Sequence, residues 1–208
     1  MVGGWAAYPA GVAWALREAG YLSGGADVAI DADLPAGAGL SSSAALECAV
    51  ALALTGLYGA TVPRRELAAL ARRAENEFCG VPSGMMDQLV ALLGRAGHAL
   101  LLDCRAGTAE LVPFAPGSAG LTASHYSLRD RFGVSWPEAD EAVAAVIEAG
   151  GVGARMTGGG FGGCVVALVP ADRVAEVRGA VTERFARHRW AAPGYLDGVP
   201  SDGGRRLG

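Results

Sequence analysis

A mixed helix-and-strand fold is predicted by three features of the 208-residue chain. A glycine- and serine-rich loop stands between a short alternating run and a long helical pattern. Apolar residues recur at helical spacing in several later segments. Between those segments lie two pairs of short β-like runs, each pair joined by a turn containing glycine.

In chain order, residues 1–27 carry Trp5, Tyr8, Val12, Trp14 and Leu16 and end in the turn-like Ser23-Gly24-Gly25. They are expected to pack beneath a sheet, with no catalytic role. Val28–Asp33 alternates so that Val28 and Ile30 share one side, as in a half-buried strand. Pro35, Gly37 and Gly39 break that run, and Ser41, Ser42 and Ser43 open a helix predicted over Ser41–Tyr58, apolar nearly all round and so buried. Gly59 ends it, and Pro63 opens a second helix with Leu67, Leu70, Ala71, Ala74 and Phe78 on its core face. Gly80–Gly84 is a turn before a third helix with Met86, Leu89, Val90 and Leu93 on one face. Two strands follow, His98–Asp103 and Ala109–Phe114, and residues 115–120 form a junction. Ser135-Trp136-Pro137-Glu138 reads as a capping box for a helix ending at Gly150-Gly151, with Ala139, Val143, Val146 and Ile147 inward. Val152–Thr157 and Cys164–Val169 are strands joined by Gly158–Gly163. Asp172 is placed as the cap of a last helix, whose stripe is Val174, Val177, Val181 and Phe185.

The stretch Leu34–Cys48, LPAGAGLSSSAALEC, organises this chain. Strand, glycine loop and helix start together suit phosphate: glycines allow close approach, amide N–H groups converge, and the helix N-terminus adds partial positive charge. A hydroxyl there can also hold magnesium. A serine-capped helix after a glycine turn accounts for the same residues equally well. Every basic residue is arginine. A Walker A loop, a Schiff-base lysine and a protein-kinase lysine are therefore excluded. Ser42 stands where a dinucleotide fingerprint needs its third glycine, and none of Ser41, Ser42 or Ser43 has the glycine two residues on that a nucleophile elbow requires. Gly158, Gly160 and Gly163 match GxGxxG literally, but a strand follows, so that reading fails too.

A net charge of −4 gives no reason to expect nucleic acid. Cys48, Cys79, Cys104 and Cys164 are widely spaced in apolar surroundings and read as buried thiols in a reducing cytoplasm. No basic leader precedes an apolar core at the N-terminus, and the uncharged run Cys48–Pro63 is too short and too glycine-marked for a bilayer, so a soluble protein is expected. His125 in SHYSLRD reads as structural, since no nucleophile elbow accompanies it. His98 and His188 have no metal spacing.

Three motifs carry a family resemblance. LPAGAGLSSSAALE, RRAENEFCGVPSGMMDQ and GARMTGGGFGGC resemble, in order, the three signatures of galactokinases within the GHMP small-molecule kinases. The resemblance implies an α+β, two-domain architecture with nucleotide and sugar between the domains: a ribosomal S5 domain 2-like part over 1–116, with a left-handed crossover, and a ferredoxin-like part over 117–208, both incomplete. It implies transfer of the ATP γ-phosphoryl group to the anomeric hydroxyl of D-galactose, with magnesium. Gly37, Ala38, Gly39, Leu40, Ser41, Ser42 and Ser43 would cradle the phosphates, backed by Gly159 and Gly160. Ser43 and Glu75 would hold the metal, Asp87 would take the hydroxyl proton, and Gly84 would lie against the sugar. ATP and galactose are the implied partners of a cytoplasmic monomer. The family often has Cys where Ser83 stands, a swap expected to be neutral. The family's amino-terminal motif, GRxNLIGEHTDY, and the tract that would separate Phe114 from SHYSLRDRFGVSWPEAD do not occur among these residues, which makes turnover by this chain doubtful. A non-catalytic nucleotide or sugar binder and an inactive remnant are the alternatives.

Overall fold

The structure is a computed structural model that describes residues 2–34, 39–114 and 120–207. The chain forms two compact units.

The first unit comprises residues up to 34, 41–114 and 199 onward. Its helices are α1 (Ala7–Glu18), α2 (Ser42–Leu57), α3 (Arg64–Arg73) and α4 (Met86–Leu93), followed by strands β1 (His98–Asp103) and β2 (Thr108–Pro113). Rather than packing beneath a sheet, the segment expected there forms α1, which packs on α2, α3 and the turn after α3. Ala15, Ala51, Ala68 and Ala71 are fully buried, and such small side chains let the helices approach closely. Leu16, Leu67, Leu89 and Leu92 fill the remaining space, each contributing about 1.5–3 kcal/mol by leaving water. The apolar character of α2 is one-sided in practice, because Leu57 is 66% exposed while Ala44, Cys48, Ala51 and Leu54 are buried. The inward face of α4 is Gln88, Leu89 and Leu92; Met86 and Val90 face outward, so the expected stripe is rotated toward the wrong residues.

Val28–Asp33 is not a strand, and Val28 and Ile30 are exposed. A strand exists only where a second one hydrogen-bonds to it, and none does so here among the described residues. β1 and β2 pair antiparallel from His98 opposite Pro113 to Asp103 opposite Thr108. Asp103 Oδ1 closes their turn by accepting the Arg105 and Ala106 N–H groups at 2.8 and 3.0 Å. The C-terminal residues return to this unit. Gly203 and Gly204 donate N–H bonds of 2.7 Å to Gly94 and Ala91 carbonyls, and Arg64 Nη1 donates to the Leu92 and Gly204 carbonyls at 2.7 and 2.6 Å. The tail thereby occupies carbonyls at the end of α4 that have no partner within the helix.

The second unit contains residues 39–40 and 120–198 among those described. It is built from α5 (Gly120–Ser127), α6 (Pro137–Glu148), β3 (Gly153–Met156), β4 (Val165–Leu168) and α7 (Val174–Arg187). β3 and β4 form an antiparallel hairpin, and α6 packs on α7, with Val143, Val146, Ala154, Val177 and Val181 in the core between them. No capping box forms: Trp136 is the N-cap of α6, Pro137 takes the first helical position, and Ser135 Oγ instead donates to Asp140 Oδ1 at 2.6 Å. Asp172 does not cap α7 either; it sits inside a 3-10 turn, Ala171–Arg173, that runs straight into the helix. Of the cysteines only Cys48 is buried, and Cys104 is exposed on the β1–β2 turn.

Candidate functional site

The start of α2 is open. Ser41 takes the N-cap position in the left-handed conformation (φ 57°) and makes no side-chain capping bond. That conformation is uncommon outside glycine and is maintained at some cost in strain. With no capping hydroxyl, the first-turn amides of Ser42, Ser43 and Ala44, which have no helical acceptors, remain available at the positive end of a 16-residue helix. Gly37 and Ala38 lie outside the described residues. Gly39 and Leu40 belong to the second unit, where a Cβ on Gly39 would stand 3.2 Å from the Thr157 carbonyl oxygen. This backbone-on-backbone contact sets Gly39 beside the β3–β4 turn that carries Gly159 and Gly160.

That turn is held open by unusual geometry. Gly158, Gly160, Phe161, Gly162 and Gly163 all have positive φ. Phe161 donates its N–H to the Val134 carbonyl at 2.9 Å, and a Cβ on Gly160 would come within 2.2 Å of the same oxygen. Gly160 therefore admits no side chain.

Glu75 lies on a π-helical turn, Ala74–Phe78, that extends α3, with the Cys79 N–H reaching the Ala74 carbonyl. Such a turn inserts an extra residue and re-aims its side chains, and it recurs at functional sites. Glu75 is buried and does not stand alone. Its Oε2 accepts Ser83 Oγ at 2.6 Å and Gln88 Nε2 at 2.9 Å. The second Gln88 amide hydrogen reaches Glu47 Oε2 at 3.2 Å. Glu47 is 0% exposed, and burial pushes its carboxyl up to about 8; Gln88's hydrogen bond opposes this, while the Glu75 charge adds to it. Burial likewise pushes the adjacent Cys48 thiol up to about 12, with the Glu47 and Glu75 charges reinforcing it, so that thiol is inert. Ser43 lies one turn ahead of Glu47 on the same face of α2.

Glu75 Oε1 makes no hydrogen bond among the described residues, while Oε2 is fully engaged. A carboxylate oxygen left without a hydrogen bond in this way is one donor of the kind a hard cation uses. Ser83, where the family often has Cys, places its hydroxyl on Glu75, a contact that motif resemblance alone does not reveal. Asp87 is the second residue of α4, half-buried and without a hydrogen-bond or ion-pair partner among the described residues. Gly84 lies three residues before it, on the exposed loop that Ser83 anchors through its N–H to Asn76 Oδ1 at 2.9 Å.

Glu47 and Gln88 are not singled out by the sequence reading. Glu47 is the only charged residue within the 16 residues of α2, and a lone charge in a helix otherwise destined for the core is the signal that marks it. His125 is 0% exposed and structural, as expected: Nδ1 accepts the Met156 N–H at 3.3 Å. Its Nε2 stands 3.1 Å from Asp140 Oδ1 but off the direction of a hydrogen bond.

Comparison with known families matches residues 7–95 to "GHMP kinases N terminal domain" and residues 116–187 to "GHMP kinases C terminal". The class these define is the small-molecule kinases of the GHMP type. The galactokinase of Streptomyces coelicolor is 35% identical over 98% of this chain and 76% of its own length. That of Mycobacterium tuberculosis is 34% identical over 95% and 81%. The crystal structure of Lactococcus lactis galactokinase complexed with galactose superposes with a TM-score of 0.84 at 25% identity, covering 97% of this chain and 77% of that one. A homoserine kinase from Cytophaga hutchinsonii shares the fold alone, with a TM-score of 0.64 at 16% identity. The chain belongs to the galactokinase family, with the α+β architecture of the GHMP kinases and the type of an ATP-dependent sugar kinase. The alignment to the Streptomyces relative spans 294 residues, more than the 208 of the chain, so that relative carries internal residues with no counterpart here. Among the described residues no helix is long and apolar enough to cross a membrane.

Proposed function

We propose that this chain binds MgATP and directs its γ-phosphoryl group to the anomeric hydroxyl of D-galactose, giving galactose 1-phosphate and ADP. The observation that carries the reading is the uncapped start of α2: a serine in the left-handed region leaves the first-turn amides free of any side-chain cap. Ser41–Ser43 and Gly39–Leu40, with Gly37 and Ala38 before them, cradle the phosphates, backed by Gly159 and Gly160. Ser43 and Glu75 hold magnesium. Bound there, the ion would neutralise charge on the phosphate oxygens. Asp87 accepts the proton of the attacking hydroxyl; having no partner of its own among the described residues, it is free to meet one, and Gly84 leaves room for the sugar beside it. Positioning and charge neutralisation supply most of the rate in such transfers, and the base sharpens an attack already in line.

Galactose-dependent ADP release by the purified chain tests this, with Asp87→Asn as the blank. Turnover lost in that variant supports the assignment. Turnover equal in the two proteins refutes Asp87 as the base. Calorimetry with ATP, with and without magnesium, tests the cradle separately. Ser43→Ala or Glu75→Ala should weaken only the magnesium-dependent part, and an unchanged magnesium dependence refutes their role.

A second reading is binding of MgATP without turnover. The Streptomyces galactokinase carries internal residues that have no counterpart here, and missing segments of that kind favour binding over turnover. Saturable MgATP binding with no galactose-dependent ADP release establishes this second reading.

A further inference from the structure

We infer that Gln88 is the residue that positions Glu75 for its cation, with Ser83 and Glu47 fixing Gln88 and Glu75 from either side; the inference rests on the magnesium site proposed above.

Gln88 is 1% exposed and sits on α4, facing α2 and the π-helical turn. Its amide nitrogen has two hydrogens and uses both, one on Glu75 Oε2 at 2.9 Å and one on Glu47 Oε2 at 3.2 Å. The reverse orientation would set the amide oxygen against Glu75 Oε2, which favours the amide as placed; Gln88 Oε1 itself makes no hydrogen bond among the described residues. Ser83 Oγ approaches the same Glu75 oxygen at 2.6 Å. Ser83 is itself pinned: Asn76 Oδ1 accepts its N–H at 2.9 Å, and its carbonyl accepts Arg72 Nε at 3.0 Å. Four segments are therefore linked in one network: the loop through Ser83 and α4 through Gln88 meet Glu75 of the π-helical turn, and Gln88 also reaches Glu47 of α2.

The chemical consequence is asymmetry within Glu75. Two donors saturate Oε2 and lock the carboxylate plane, so Oε1 is presented for a metal in one orientation. Groups that orient a ligand in this way, without touching the metal, typically alter metal affinity by about 10–100-fold when removed. A sequence-based search for oxygen ligands stops at Ser43 and Glu75, because neither an amide nor a buried neutral carboxyl looks like a metal residue. Gln88 and Ser83 touch neither substrate nor metal in this arrangement. They are positioning residues.

The test is calorimetric titration of ATP into the 208-residue chain in EDTA and in magnesium, for the unaltered protein, Gln88→Met, Ser83→Ala and Ser83→Thr. The expected result is a magnesium-dependent gain in ATP affinity that falls about 10–100-fold in Gln88→Met and Ser83→Ala, with affinity in EDTA unchanged. Ser83→Thr, which keeps the hydroxyl, restores it. Should Gln88→Met fail to fold, Ser83→Ala decides the matter, since Ser83 is a partly exposed loop residue. A purely structural role would lower ATP affinity equally with and without magnesium, and that outcome overturns the inference. So does a magnesium gain that survives in both variants, which would leave the metal site of Ser43 and Glu75 standing. Absence of any magnesium gain in the unaltered chain overturns the metal site and this inference together.

Discussion

Replacing Glu47 by glutamine changes one oxygen for one nitrogen in a site with no access to water, and its effect on stability is expected to depend on pH. The folded carboxyl sits at about 8 because burial disfavours its charge, against an ordinary value of 4.5. Folding therefore takes up a proton in the window between those values. With a folded pKa above the unfolded one, the contribution of Glu47 is most favourable below pH 4.5 and declines as pH rises until the folded carboxyl ionises near 8. At 1.36 kcal/mol per unit, the full loss is about 5 kcal/mol and roughly 3 kcal/mol has gone by pH 7. The introduced amide cannot ionise, and its carbonyl can still accept the Gln88 hydrogen. Its own N–H groups would replace a carboxyl oxygen that already lacks a partner, so the two proteins should be similar in acid. Urea denaturation from pH 5 to pH 9 in EDTA should show Glu47→Gln gaining several kcal/mol on the unaltered chain as pH rises. Parallel stability curves across that range would refute the account of Glu47 as a buried neutral carboxyl.

Other outcomes follow from single contacts. Gly160→Ala places a methyl 2.2 Å from the Val134 carbonyl at a φ of +97°, so it should destabilise the second unit by at least about 2 kcal/mol, read by urea denaturation. A midpoint unchanged by that substitution would contradict the close approach. Arg64→Met keeps the aliphatic stem but removes the hydrogen bonds to Leu92 and Gly204, and a loss of about 2–3 kcal/mol together with faster proteolysis of the C-terminal residues is expected. His125 is held below its ordinary value of 6.5 chiefly by burial, with Asp140 opposing the shift. Its neutral form stabilises the fold above that value and the benefit is lost as pH falls, so His125→Gln should flatten the decline in stability below pH 6.5. An unchanged acid slope would assign the decline to other groups.

The elements with strong local signals were legible in the sequence. α2, α6, α7 and both hairpins lie within a few residues of where periodicity and glycine placed them, because their pattern and their packing agree. The failures share a cause. Val28–Asp33 has the alternation of a strand but no neighbour to pair with among the described residues, and pairing is non-local information. Met86 and Val90 look like core residues when the buried Gln88 is discounted as polar, whereas its hydrogen bonds to two carboxyls are what turn that face of α4 inward. The same bias hides Glu47. Ser135 and Asp172 have the composition of caps, yet Asp140 draws the first away and a 3-10 turn absorbs the second. Ser43, Glu75 and Asp87, the residues proposed for the metal and the proton, stand out in the sequence only through motif resemblance. Their surroundings do not, since a buried hydrogen-bonded cluster assembled from four separated segments leaves no periodic trace.

The docking of Gly203 and Gly204 onto α4 bears on the order in which this protein can mature. The hairpin that completes α1 to α4 and their strands ends at Pro113, so these elements are synthesised well before Gly203 and Gly204, by an interval on the order of several seconds at ordinary rates of synthesis. Through that interval the Ala91 and Gly94 carbonyls have no tail to receive, and the groove formed by Ala45, Ala49, Leu52, Ala91 and residues 204–207 lacks one wall. The unit formed by residues up to 114 thus stays unsealed until Gly203 and Gly204 have been made. A nascent chain stalled just before Val199 would therefore carry an unsealed first unit.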